Sequence, residues 1–408
     1  MSSRIKYFIV STSTCLTLLL LIGVVLGRGA SSGDDTLKHI GVFSDVVAKI
    51  KTDYVEDPDM KSVTLGALNG LLEAIDPFAS YLNADQYKEY LKNKDVKRAE
   101  TGLLLSKKFG YVGVVGAIPG SPAAKAGFST GDMVESIKGI ATRDMPLAYA
   151  AMLLQGDANS TVEISVVRVR HPEPQSVKLT RAMLTLPPVE SKMLPGQVGY
   201  INIDALSPAH VKETATAIQK LQKEGAQKLL VDLRNCAVGA PEDGIALANL
   251  FMTQGRITYL QGQRVPRQNF DVDPGKAVTS LPTAVLTNRG TAGAAEIMAA
   301  ALMENNRAQV VGERTYGDAA QRKAITMDDG SAIILSVAKY YGPSSQKAIQ
   351  DTGVTPGTIV TEADVQVDYD DNGEPLPEAN PQQQQDIKKK VEEDPVVKKA
   401  MEVLGAKV

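Results

Sequence analysis

Cutting an acyl bond requires a nucleophile and a neutral base within reach of it, and this sequence offers few residues placed to supply either. Thr291 carries a hydroxyl in the run Gly290-Thr291-Ala292-Gly293-Ala294-Ala295-Glu296, and Lys323 carries an amine further along. Such a pair could act only if burial kept the amine neutral; a helix-start threonine and a surface lysine is the plainer reading. Cys236 follows Arg234 closely, and a nearby positive charge helps turn a thiol into a thiolate. A small apolar core residue is nevertheless its ordinary role. Asp318 and Arg322 stand one helical turn apart and read as an ion pair. His39, His171 and His210 are far apart, and Asp204, Asp232 and Asp243 follow no regular spacing. Zinc sites need ligands at short spacing, so the histidines read as solvated surface residues, with no metal and no cofactor expected.

The composition narrows the choice of partners. The formal net charge of −3 supplies no basic face for a polyanion. There is no tryptophan and only 5% of residues are aromatic, which leaves little on which bases could stack. Nucleic acid is excluded as a partner on both grounds. The 43% apolar content of 408 residues is that of a globular chain with two or three folded units. Cys15 and Cys236 are too few and too differently placed for a disulfide framework.

These residues must be carried by elements, and the first is an apolar N-terminus. Arg4 and Lys6 precede an uncharged stretch from Tyr7 to Gly27 that includes Leu16–Val25. About 20 such residues span a bilayer at 1.5 Å rise each. The basic flank keeps that end in the cytoplasm and exports the rest. A cleaved signal peptide shares the pattern, but Arg28 sits awkwardly for cleavage after Ala30. Residues 1–28 are thus expected to be a signal anchor, with a signal peptide as the alternative, and the body lies outside the cytoplasm in either case.

A polar joint then leads to helical spacing over Ile40–Tyr54, a helix from Met60 to Ile75 stopped by Asp76-Pro77, and a charged helix over Asp85–Lys94. This stretch, 36–98, reads as a helical N-terminal unit. From 99 to 184 the texture is short strands and turns: Tyr111–Ala117, a turn at Pro119-Gly120-Ser121-Pro122, Met133–Ile137, an apolar helix Leu147–Leu154, and the alternating Thr161–Val169. Beyond Pro187, over 185–362, strands alternate with helices. Val198–Ile203, Pro208–Glu224, Lys228–Leu233, Ala240–Thr253, Ala284–Thr287, Gly293–Met303, Val310–Val311 and Ala332–Val337 predict a mostly parallel, covered sheet. The stretch 363–408 is an acidic, Pro- and Gln-rich tail ending in the helix Pro395–Leu404.

Gly120-Ser121-Pro122-Ala123-Ala124-Lys125-Ala126-Gly127, then Gly131-Asp132 and Ile137-Lys138-Gly139, with Gly156 and Thr161–Arg168 after them, resemble the PDZ domains of exported bacterial proteases. A PDZ domain adds a peptide C-terminus as a strand at a sheet edge and holds its carboxylate on backbone N–H groups. The resemblance assigns that role to Gly102, Leu103, Leu104 and Leu105, although Leu104 stands where the family has a second glycine.

The remainder resembles the carboxy-terminal processing (tail-specific) serine–lysine peptidases over about residues 36–405. The resemblance rests on Asp76-Pro77-Phe78-Ala79-Ser80-Tyr81-Leu82, Val198-Gly199-Tyr200-Ile201, Leu230-Val231-Asp232-Leu233-Arg234-Asn235 and Asn288–Ile297. It continues through Gly312-Glu313-Arg314-Thr315-Tyr316-Gly317, Lys339–Ser344 and Gly353-Val354-Thr355-Pro356. It implies a multidomain α/β protein: N-terminal membrane helix, helical unit, PDZ domain and an α/β core of the tail-specific peptidase type. The family uses a serine nucleophile, a lysine base, an orienting glutamine and an oxyanion loop. In that register the nucleophile position is Gly293, the base is Asp318, and the orienting position is Arg322 with Gln321 beside it. The oxyanion loop becomes Asn235-Cys236-Ala237-Val238-Gly239. All four elements are altered.

The expectation is therefore a pseudopeptidase that binds peptide or protein C-termini, with an active relative or a second copy of itself as a further partner. A peptidase with displaced groups and a purely architectural subunit are the alternatives.

Overall fold

The computed structural model describes residues 31–94, 96–168, 171–361 and 394–406. The expected membrane segment Tyr7–Gly27 and the Pro- and Gln-rich stretch before residue 394 lie outside them. Among the described residues no helix is long and apolar enough to cross a membrane. The chain divides into two compact units between Ala67 and Leu68. The first contains helix α1 (Ser31–Asp53), whose Leu37, Ile40, Phe43 and Val46 are exposed. Helix α2 (Met60–Glu73) carries the boundary. In the second unit a short strand β1 (Ser80–Leu82) follows, then α3 (Ala84–Asn93), started by a capping box of Asn83 and Gln86.

The PDZ sheet begins with β2 (Leu103–Lys108) and β3 (Tyr111–Ala117), joined by a tight turn in which Phe109 and Gly110 both have positive φ. Helix α4 (Pro122–Lys125) comes next, with Ser121 capping it and proline in its first turn. Strands β4 (Met133–Ile137) and β5 (Ile140–Ala141), helix α5 (Leu147–Leu154), β6 (Thr161–Arg168) and β7 (His171–Thr180) complete the domain. The strand order β2-β3-β4-β6-β7 leaves β2 at one edge. Val112, Val114, Val134, Ile137, Ala150, Val162 and Ile164 fill its core.

The α/β core contains β8 (Glu190–Leu194), β9 (Val198–Asn202), α6 (Pro208–Lys223), β10 (Lys228–Asp232) and α7 (Pro241–Asn249). Then come β11 (Arg256–Gln261), β12 (Gln268–Asp271), β13 (Thr283–Thr287), α8 (Ala294–Glu304), β14 (Ala308–Gly312), β15 (Ala320–Thr326), β16 (Ala332–Tyr341) and β17 (Thr358–Ile359). Helix α9 (Pro395–Val403) closes the chain. One sheet runs β17-β14-β13-β10-β9-β8 and is parallel except for β8. Its central strands are buried on both faces, which is why they read as unbroken apolar runs. Helices α6, α7 and α8 contribute to the apolar cluster on one face, and α9 to the cluster on the other.

A second sheet, β1-β16-β11-β12 with β15 also on β16, is antiparallel. Sequence reading found only part of β16. The other strands are short or half-exposed, and β15 alternates too weakly in hydropathy to stand out. One histidine differs from expectation as well. His210 is buried, its Nδ1 2.6 Å from Ser207 Oγ and its Nε2 2.9 Å from Pro187 O. His39 is exposed, as expected.

Candidate functional site

Strand β13 runs into a tight loop, Asn288–Gly293, and the loop into α8. The loop is held from inside: Thr291 Oγ1 donates to Leu233 O at 2.8 Å and accepts from Asn288 N–H at 3.0 Å. Asn288 and Asn235 bond each other twice, at 2.9 and 3.0 Å. Ala292 N–H donates to Cys236 O at 2.9 Å, joining the loop to the Asn235–Gly239 segment. Gly293 is the N-cap of α8, with φ 62° and ψ −120°. That conformation is free for glycine and strained for any residue with a side chain. A Cβ placed there would meet only Asp318 O, at 3.5 Å.

Asp318 and Arg322 are brought together as an ion pair, with side chains 25% and 28% exposed. The expected pairing is present, but its geometry is not helical. Asp318 lies in the loop before β15 and Arg322 on that strand, at a bulge where Gln321 opposes Ala338 and Arg322 opposes Ser336. The bulge re-aims the strand locally. The guanidinium carbon of Arg322 lies 4.1 Å from the centre of the Phe78 ring. Phe78 meets Tyr316 edge-on at 6.2 Å, and Tyr316 OH bonds Ser106 Oγ on the PDZ edge strand. The Asp318–Arg322 pair and the PDZ edge strand β2 are thus joined by a row of contacts.

Glu296 organises the site, and sequence reading assigned it no part. It is fully buried in the first turn of α8. Its Oε2 accepts Gly293 N–H at 2.9 Å and Asp318 N–H at 2.8 Å, and its Oε1 accepts Gly317 N–H at 2.7 Å and the Thr315 hydroxyl. Burial pushes its pKa up to about 7, against the pull of those donors. The available signal was a carboxylate at the third position of a largely apolar helix, where it faces backbone N–H groups.

The other residues considered for chemistry are not assembled. Thr291 is wholly buried and its hydroxyl engaged, whereas Lys323 and Gln321 lie on the exposed side of β15. Cys236 is buried, and burial with the charges of Asp204 and Asp232 raises its thiol pKa above the ordinary value. Asp232 instead accepts from Tyr200 OH at 2.8 Å and from Arg234, which also bonds Asp394 at 2.6 Å. Among the described residues no group of histidine, cysteine or carboxylate side chains could hold a metal ion. In the PDZ domain Gly102 has φ +85°, and Leu103, Leu104 and Leu105 are half-buried against the domain's apolar cluster. A strand–loop–helix turn of this kind can present backbone N–H groups to an oxyanion, and Gly293 brings no side chain to it.

Residues 197–360 match the profile of peptidase family S41, and residues 113–168 match a PDZ domain. The carboxyl-terminal-processing protease of Synechocystis is 32% identical over 319 residues, 76% of this chain and 74% of that protein. The chain belongs to the carboxyl-terminal processing peptidase family. A second family member, the carboxy-terminal processing protease CtpA of Bacillus subtilis, is 31% identical over 78% of this chain and 67% of its own length. Among solved structures, the photosystem II D1 C-terminal processing protease superposes with a TM-score of 0.64 at 25% identity. That match covers 78% of this chain and 92% of the other. The family resemblance read from the motifs is thereby established, as is the multidomain α/β architecture with a PDZ domain.

Proposed function

We propose that this chain is an exported, membrane-anchored pseudopeptidase of the family, which binds the C-terminal tails of peptides or proteins through its PDZ domain. The observation that carries this reading is Gly293. It stands at the start of α8 where the family resemblance places the attacking serine, and it has no side chain. Asp318, in the place of the base, is held in an ion pair with Arg322. Losing a nucleophile of this kind costs on the order of a millionfold in rate. The apolar Tyr7–Gly27 segment with its basic flank supports an anchor and a body outside the cytoplasm. An active relative that receives bound tails, or a second copy of the chain, fits as partner.

The relatives are named as proteases, so proteolysis by displaced groups is the rival. It would need a nucleophile from elsewhere; Thr291 is buried with its hydroxyl engaged, and Cys236 is buried with its thiol pKa raised by burial and by the charges of Asp204 and Asp232. The experiment is to incubate the protein with peptides ending in apolar residues, beside a Gly293→Ser/Asp318→Lys variant, and to read products by mass spectrometry. Binding without cleavage by the native chain is expected. Cleavage that persists through purification and vanishes on mutating Thr291 or Cys236 would refute the proposal.

A further inference from the structure

We infer that the tail groove of the PDZ domain admits only the last two residues of a peptide, because the chain's own Pro77–Ser80 segment holds the place of the third. The inference rests on the tail-binding reading above and sharpens it to a recognition length.

The alternation of the β2–β3 ladder shows which groups of β2 face outward. Val114 turns its N–H away from β2, to Asp132 O at 2.8 Å. Its partner across the ladder is Leu105, and two positions on Val112 faces Lys107. Residues opposite each other in an antiparallel pair alternate between bonding each other and both pointing away. Leu105 and Lys107 therefore direct their N–H and C=O groups to the free edge, and so does Leu103 opposite Ala117.

An incoming strand that runs antiparallel to β2 gains one rung at each of these residues. With its carboxylate on the N–H groups that follow Gly102, its last residue pairs with Leu105. The third residue from its end would then pair with Lys107. That rung is taken: Lys107 N–H donates to Pro77 O at 2.9 Å. On the opposite wall Ser80 Oγ accepts Ala148 N–H at 3.0 Å, in the first turn of α5, whose own N-cap offers no side-chain acceptor. The segment thus bonds strand and helix at the end of the groove farther from Gly102.

The segment is a fixed wall rather than a flap. Asp76 accepts Phe78 N–H at 2.9 Å with Oδ1 and Ser336 N–H at 2.9 Å with Oδ2. Phe78 is only 7% exposed and belongs to the PDZ apolar cluster. Ser80, Tyr81 and Leu82 pair with Ile334, Ile333 and Ala332 of β16. Displacing it would break all of these at once. The part of the groove left open is bordered by Leu103, Leu105 and Leu153, all packed on the same cluster. The ligand class is a free C-terminus with an apolar last residue, whose chain leaves the edge after two residues.

The test uses the full chain in detergent and peptides of three to seven residues with an apolar last residue, with affinity measured by calorimetry. Lengthening from three to seven residues is expected to change affinity by less than about twofold, and so is N-methylation of the third residue from the end. Amidating the C-terminus, or N-methylating the last residue, whose N–H would donate to Leu105 O, is expected to weaken binding at least about tenfold. If affinity climbs about tenfold with length, or falls on N-methylation of the third residue, the two-residue slot is wrong while tail binding stands. If no peptide with a free carboxylate binds, the tail-binding reading fails and the slot with it.

Discussion

The guanidinium of Arg322 lies 4.1 Å above the Phe78 ring and, with the same group, pairs with Asp318. Asp318 and Arg322 thereby form an ion pair stacked on an aromatic ring. An arginine suits this role because its planar, permanently charged group can stack and donate at the same time.

Arg322→Ala should lower stability by roughly 2 kcal/mol, the sum of a part-exposed ion pair and a cation–π contact. Asp318→Asn should cost about 1 kcal/mol, and Arg322→Lys should keep the charge but lose the stacking. In a double-mutant cycle read by urea unfolding, Asp318 and Arg322 should couple by about 1 kcal/mol. Additive effects would mean that the pair contributes nothing.

The second prediction concerns Glu296. Its folded-state pKa of about 7 lies above its ordinary 4.5. Between those values the folded chain holds a proton that the unfolded chain releases. The contribution is therefore complete below pH 4.5 and is lost as pH rises to 7, a fall of about 3 kcal/mol. Glu296→Gln should remove this slope. It should also destabilise the fold at every pH, because its amide nitrogen must face backbone donors. Urea midpoints across that pH range compare the two proteins, and an equal slope in both would assign the pH dependence to other groups.

Gly293→Ser should fold, with a loss of about 1 to 2 kcal/mol for the left-handed φ, since its Cβ meets nothing closer than 3.5 Å. Alone it should produce no cleavage, because Asp318 remains paired and no neutral base stands beside the hydroxyl. Peptide turnover by this single variant would show that a base is present which the geometry does not reveal.

Arg234 is largely buried between Asp232 and Asp394, and Asp394 also caps α9 through Val396 N–H at 2.8 Å. Removing one partner of a buried pair leaves a charge uncompensated, at about 3 kcal/mol. Arg234→Ala should therefore lower the melting temperature and expose α9 to protease earlier than the rest of the chain. Unchanged protection of α9 would assign its docking to Val396, Val397 and Met401 alone.

Local patterning was enough to place β9, β10, β13 and the middle of β14, but not β17, together with the helices with proline at their starts and the PDZ turn order in the sequence. Each depends on neighbours a few residues away. Motif spacing likewise brought Gly293, Asp318 and Arg322 to attention before any fold was known. The tertiary structure decided what these residues do. Arg322 and Asp318 meet through a loop and a bulged strand, not a helix turn. Phe78 reaches Arg322 because β1 pairs with β16 across a long sequence separation. Glu296 gained its importance only when the Thr315–Asp318 loop folded onto it. The outward N–H of Lys107 became unavailable for the same reason, being claimed by Pro77 from a distant part of the chain. Residue type and spacing encode which groups exist and which local elements carry them. Long-range strand pairing, which no local pattern specifies, determines which of them touch.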